Sequence, residues 1–233
     1  AFAWVSEGNF WQYADAGWNN PYQYAVFDLA PLAARSLAAV ISYLCTGAKV
    51  TVDILAHSLG TRAVCQALDL LSRGTEDALI HRAVFLGGAE YCVDAFKATG
   101  GRSFDIFNIA SREDLVLSLG GTQFGHPIRV NGSDAARVIG RDGLVSNQAW
   151  LDLQIDRTDV ATWFKQQGYQ VSAVNENNVH PSAWLKHWVY YMNDGNRALV
   201  RDLVAKPEMT VSWFRDRKFP EGIGAPYYGH FNP

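Results

Sequence analysis

Apolar positions along the chain follow two alternating rhythms. Short β-branched or aromatic runs predict strands at Ala1–Val5 (AFAWV), Val50–Leu55 (VTVDIL), Ala83–Leu86 (AVFL), Phe104–Ala110 (FDIFNIA) and Val171–Val174. Between them apolar residues recur at helical spacing. Tyr24 to Cys45 predicts one such helix, with Pro31 as a break or second start. Leu59 to Leu71 predicts another, with Val64, Leu68 and Leu71 on one face. A short helix is expected around Val93–Ala98, a further one over Asp159–Gln167, and a last one from Trp188 to Val204. Strand alternating with helix implies an α/β protein: a three-layer α/β/α sandwich around a mostly parallel sheet.

The rhythm weakens between Leu115 and Asp156, where six glycines fall from Gly120 to Gly143. A connection this long is expected to be a lid or binding excursion (residues 115–156) within a single domain, 1–233. The tail from Pro207 to Pro233 holds four prolines and reads as irregular.

Composition narrows the class. Apolar residues make up 48% and charged residues 18%, which is globular and not disordered. The net charge of −3 and the lack of any basic block argue against nucleic acid and anionic membrane surfaces as partners. No apolar stretch reads as long enough for stable membrane insertion. Cys45, Cys65 and Cys92 have no metal-ligand or disulfide spacing and read as buried thiols, which fits a reducing compartment such as the cytoplasm. No signal-peptide pattern is present, and a start at Ala1 in place of Met fits removal of a preceding segment.

The sharpest chemical signal is VDILAHSLGTRAV, Val52 to Val64. Its centre, Ala56-His57-Ser58-Leu59-Gly60, is a G-x-S-x-G pattern with Ala in the first small position, set between a predicted strand and a predicted helix. A tight strand-to-helix turn lifts a serine hydroxyl above a sheet edge and aims the first helical N–H groups at developing negative charge. Ala56 and Gly60 are expected to be small because strand and helix approach closely. The competing reading is a serine N-cap on an ordinary turn, which would need neither small residue. His57 is adjacent to Ser58 in sequence, so its side chain points elsewhere and is expected to pack locally.

AHSLG between VDIL and TRAV resembles the nucleophile elbow of the α/β-hydrolase superfamily, of its esterase- and lipase-like members in particular. The resemblance implies a serine nucleophile, then an acid after a later strand, then a histidine. Asp114, just beyond Phe104–Ala110, matches the acid. Asp105 lies inside the strand, Glu113 is a neighbour, and Glu90 is the alternative one strand earlier. For the histidine, His187 in LKHWVYYMNDGN matches better than His180 in NNVHPSAW, and the run from His187 resembles a His-x-x-Tyr segment of bacterial α/β-hydrolases. His81 is out of order, and His126 and His230 lack strand-end context. The competing reading of Asp114 is a solvated turn residue, and of His187 a helix-start residue packed beside Trp188.

The resemblance also implies an oxyanion donor at the Leu59 amide and a second donor from an earlier loop. No such loop motif precedes Ser58, and only one strand is predicted before the elbow strand. The N-terminal strands of the fold are therefore expected to be absent from this sequence. Aromatic residues cluster near the start (Phe10, Trp11, Tyr13, Trp18) and around the histidine (Trp184, Trp188, Tyr190, Tyr191). Beside a serine they would favour an apolar acyl or alcohol group, although most are expected to be core. The expected function is hydrolysis of a small-molecule carboxylic ester through an acyl-enzyme, with no metal or organic cofactor. The alternatives are a thioesterase or amidase on the same triad, and a non-catalytic ligand-binding protein. A dinucleotide-binding domain is disfavoured because no G-x-G-x-x-G follows a strand.

Overall fold

In a computed structural model the chain is described over residues 24–71, 76–114, 116–117, 137–144, 148–172 and 187–224. Among the described residues four strands, β1 (Val52–His57), β2 (Ile80–Leu86), β3 (Asp105–Ala110) and β4 (Trp150–Gln154), form one sheet in the order β1-β2-β3-β4, and every pair is parallel. Parallel neighbours need crossovers, and helices α2 (Leu59–Leu70), α3 (Cys92–Thr99) and α4 (Ile139–Asp142) lie in them. Helix α1 (Ala25–Gly47) precedes β1, and α5 (Thr158–Gln166), α6 (His187–Tyr191), α7 (Asp194–Ala205) and α8 (Val211–Asp216) follow β4.

The two-residue period of the strands sorts their side chains into two separate cores. Ala83 and Phe85 of β2, Ile106 of β3 and Trp150 of β4 join Ile41 of α1, Leu68 of α2, Ala95 of α3 and Ile139 of α4. Val84 and Leu86, Phe107 and Ile109, and Leu151 and Leu153 join Phe164 of α5, Tyr191 of α6, Leu203 of α7 and Phe214 of α8. Helices thus cover both faces, and the elements up to α4 lie on one of them. The second core is aromatic: Trp163 stacks on Phe214, with their ring centres 5.4 Å apart.

Several expectations change. Of the predicted strand Val171–Val174, Val171 and Ser172 are irregular, and residues 173 and 174 lie outside the described residues. Val171 is buried in the second core, and the Ser172 backbone is held by Asn193 and Asn196. Burial, not sheet pairing, explains its apolar character. The fourth strand is instead Trp150–Gln154, inside the expected excursion, and Ile139 is also core. What remains of that excursion lies outside the described residues, apart from the stretch at 116–117, the segment around α4 and residues 148–156.

Pro31 does not break α1, because it stands at the start of its regular α-helical part, where no N–H is needed. Wider i→i+5 turns, Ala30 N–H to Ala25 O and Ala48 N–H to Tyr43 O, flank that part. The resulting 23-residue helix is long and apolar enough to cross a membrane, which corrects the expectation that no stretch would be. Its Ala34, Ala38 and Ile41 face nevertheless packs into the first core with α2.

The predicted final helix is two helices, because Asn193 caps α7 by accepting from the Asn196 amide at 2.9 Å. The tail contains α8, capped in the same way by Thr210 on the Trp213 amide. The strand expected at Ala1–Val5 lies outside the described residues.

Candidate functional site

The carboxyl ends of all four strands meet at one edge of the sheet, where ligands bind in open parallel α/β sheets. Ser58 follows β1 there and precedes α2. Its backbone sits at φ 51°, ψ −126°, a left-handed conformation uncommon for any residue but glycine. Three hydrogen bonds hold it: the Ser58 amide donates to Leu86 O at 3.0 Å, and Ser58 O accepts from the Thr61 and Ala89 amides at 3.0 and 3.1 Å. Ser58 is half-buried. Leu59 opens α2, so its amide belongs to the first helical turn, whose N–H groups lack intrahelical acceptors.

Ala56 is buried, whereas a Cβ on Gly60 would meet nothing within 4 Å among the described residues. The crowded positions are Gly88, where a Cβ would lie 3.1 Å from Thr61 Cγ2, and Gly140, where one would lie 2.3 Å from the Gly88 amide nitrogen. Gly140 also bridges strand ends: its N–H donates to Gly88 O, and its carbonyl accepts from Ser111 N–H.

Asp114 lies past the end of β3 and is buried, not solvated. Oδ1 accepts from the Leu117 amide at 3.0 Å and Oδ2 from the Tyr191 hydroxyl at 2.6 Å. Burial first, and then the Asp114 charge, push the Tyr191 phenol well above its ordinary range, so it stays protonated and donates. Glu113 uses its amide on Ser111 Oγ. Asp105, at the far end of β3, accepts from the Val211 amide at the start of α8.

Glu90, after β2, is fully buried and pairs with Arg62 of α2 at 2.5 Å, with its Oε1 also accepting from the Tyr91 amide. Burial pushes its carboxyl up to about 8 against the lowering pull of Arg62. Arg62 also donates to Val26 O and lies over the rings of Phe27 and Tyr91, which ties α1 to α2 and to the end of β2.

His187 opens α6, and its side chain lies outside the described part of the structure, as does all of His180. His126 and His230 lie outside it too. Helix α6 is nonetheless joined to the site from two sides. Trp188 stacks edge-on against the His57 ring, with centres 5.0 Å apart, and Tyr191 reaches Asp114. His57 therefore packs locally. His81 sits at the opposite end of β2, 2.9 Å from Asp53.

Sequence reasoning missed the polar cluster beside Asp114. Ser111 Oγ and the Tyr190 hydroxyl are 2.5 Å apart, and buried Asp156, just past β4, accepts from the Arg112 amide. Burial raises the Asp156 carboxyl. The doublet Tyr190-Tyr191 reads as core in the sequence, and only its nearness to His187 could have marked it. Among the described residues no three His, Cys, Asp or Glu side chains gather as a metal site would require. Cys45 and Cys65 are buried thiols, whereas Cys92, expected to be buried, is half-buried and its thiol donates to Gly143 O.

The arrangement offers a half-buried serine on a strained turn, helical N–H groups beside it, and a buried, hydrogen-bonded carboxylate two strands away. Comparison with protein-family models, with curated proteins and with solved structures finds no match.

Proposed function

We propose that this chain is a serine hydrolase of the α/β-hydrolase fold that cleaves a carboxylic ester of a small molecule. The observation that carries the reading is the φ of +51° at Ser58, between a parallel strand and a helix. An ordinary N-cap serine has extended backbone and bonds its side chain to the helix; Ser58 has neither feature. A strained turn persists when function requires it and its surroundings hold it.

In this reading Ser58 Oγ attacks the ester carbonyl. The base, His187, takes the hydroxyl proton and later delivers it to the leaving alkoxide. Asp114 orients that imidazole and stabilises its charged form. The Leu59 amide donates to the oxyanion. Water then attacks the acyl-enzyme, with His187 again as the base. The contacts of α6 with both His57 and Asp114 favour His187 over His180, because they bring its helix to the serine and the acid together.

The test is labelling by a fluorophosphonate probe. The wild-type chain is expected to be labelled and Ser58→Ala to be inert. A wild type that resists the probe, or a Ser58→Ala variant labelled equally, overturns the reading. A panel of esters, thioesters and amides then identifies the acyl bond cleaved.

A further inference from the structure

The Tyr191 side chain joins the two halves of the site. Its hydroxyl donates to Asp114 Oδ2 at 2.6 Å. Its ring lies so close to Gly87 that a Cβ there would sit 2.4 Å from it. Gly87 adjoins Leu86, whose carbonyl holds the Ser58 amide. On its other side the ring is tilted against His57, with centres 6.2 Å apart. The side chain is fully buried, so neither end is free to swing.

From these contacts we propose that Tyr191 is a positioning residue: a fixed spacer between the Ser58 turn and Asp114 that holds the carboxylate by one oxygen and restrains its rotation. The inference rests on the serine-hydrolase reading above. A carboxylate that must orient an imidazole needs its own rotation restrained, and supporting hydrogen bonds supply that restraint. The Leu117 amide fixes Oδ1 and the Tyr191 phenol fixes Oδ2. Gly87, at φ +50°, supplies both the turn and the space for the ring.

The experiment measures fluorophosphonate labelling rates of the full chain at one pH, below the melting temperature of every variant. Tyr191→Phe keeps the ring and removes only the donor. It is expected to slow labelling about 5- to 50-fold, a fraction of what general-base catalysis supplies. In an Asp114→Asn background the same change is expected to alter the rate less than about twofold, because its effect passes through Asp114. Gly87→Ala keeps the hydroxyl but drives a methyl into the ring, so it tests the same contact should Tyr191→Phe lose its fold; slowed labelling is expected there too.

Two results overturn the inference. In one, folded Tyr191→Phe labels at the wild-type rate; in the other, it slows labelling equally with and without Asp114. If Ser58→Ala is inert in the same series, the hydrolase reading survives that failure. If Ser58→Ala labels like wild type, both fall.

Discussion

The amide of Ser58 donates to the carbonyl of Leu86 at 3.0 Å, so the turn that ends β1 is tied to the last residue of β2. With the Thr61 and Ala89 amides on the Ser58 carbonyl, both backbone polar groups of this residue are fixed by neighbours. That is how a non-glycine residue stays at φ 51°. Such conformations cost on the order of 1–3 kcal/mol.

The strain predicts an inverted order of stability for two substitutions that both remove the hydroxyl. Replacing Ala by Gly ordinarily destabilises by roughly 0.5–1 kcal/mol, through entropy of the unfolded chain. At position 58 glycine relieves the strain and alanine does not. Ser58→Gly is therefore expected to be more stable than Ser58→Ala by about 1 kcal/mol. Urea denaturation of the two variants checks this. A midpoint higher for alanine by the ordinary cost of glycine, roughly 0.5–1 kcal/mol, would show that the turn stores no strain.

The buried pair Arg62–Glu90 predicts a pH dependence of stability. Burial raises the Glu90 carboxyl in the folded state from 4.5 to about 8. Between those values the folded chain holds a proton that the unfolded chain releases, so this group makes stability fall as pH rises. The slope is at most about 1.4 kcal/mol per pH unit. Asp152, raised to about 6, acts in the same direction but only below that pH. From 6.5 to 8, above Asp152, the difference between wild type and Glu90→Gln carries the Glu90 contribution. Denaturation midpoints of wild type and Glu90→Gln across that window are expected to converge as pH falls, with the wild type losing more on the alkaline side. Parallel curves would mean that Glu90 is ionised throughout and that Arg62 outweighs its burial.

The strand before Ser58, the two strands after it, and the helices α2 and α3 were legible because apolar period and turn chemistry agree there. VDIL runs into AHSLG and then into a helix whose Val64 and Leu68 are core. Chain order alone points to Asp114, which the fold buries just past the end of β3. Strand β4 was not, because WLDLQ places Asp152 and Gln154 at alternate positions, which reads as a polar face. The whole strand is buried, and those polar groups are satisfied inside, Asp152 by side chains and a backbone amide and Gln154 by Gly224. Periodicity distinguishes polar from apolar, not exposed from partnered. Val171 failed in the opposite sense, since a β-branched residue packed against α-helical neighbours looks in sequence like a strand. The break before α7 was written in Asn193 but masked by the apolar run of α6. Tyr191 could not be found from sequence because its role depends on Gly87 and Asp114, remote in the chain and joined only by the fold.

The satisfaction of Asp152 yields the last prediction. Asn108, its cross-strand neighbour in the register of β3 and β4, donates to Oδ1 at 2.7 Å, and the Trp150 indole donates to the same oxygen at 2.9 Å. The Leu144 amide donates to Oδ2 at 2.9 Å. Donors therefore approach both oxygens. An asparagine at this position has one acceptor oxygen and one NH2 group, and in either orientation the NH2 faces a donor that cannot accept from it. Asp152→Asn is thus expected to cost about 1–3 kcal/mol despite its nearly identical shape, the penalty for a buried donor left unsatisfied. The loss should reach the Ser58 edge, because Asn108 also donates to Ile139 O, and the next residue, Gly140, holds both Gly88 and Ser111. A melting temperature lowered by several degrees, with slower fluorophosphonate labelling, is the expected pair of results. Unchanged stability at pH 7 would mean that the carboxyl is already protonated there and that its burial outweighs all three donors.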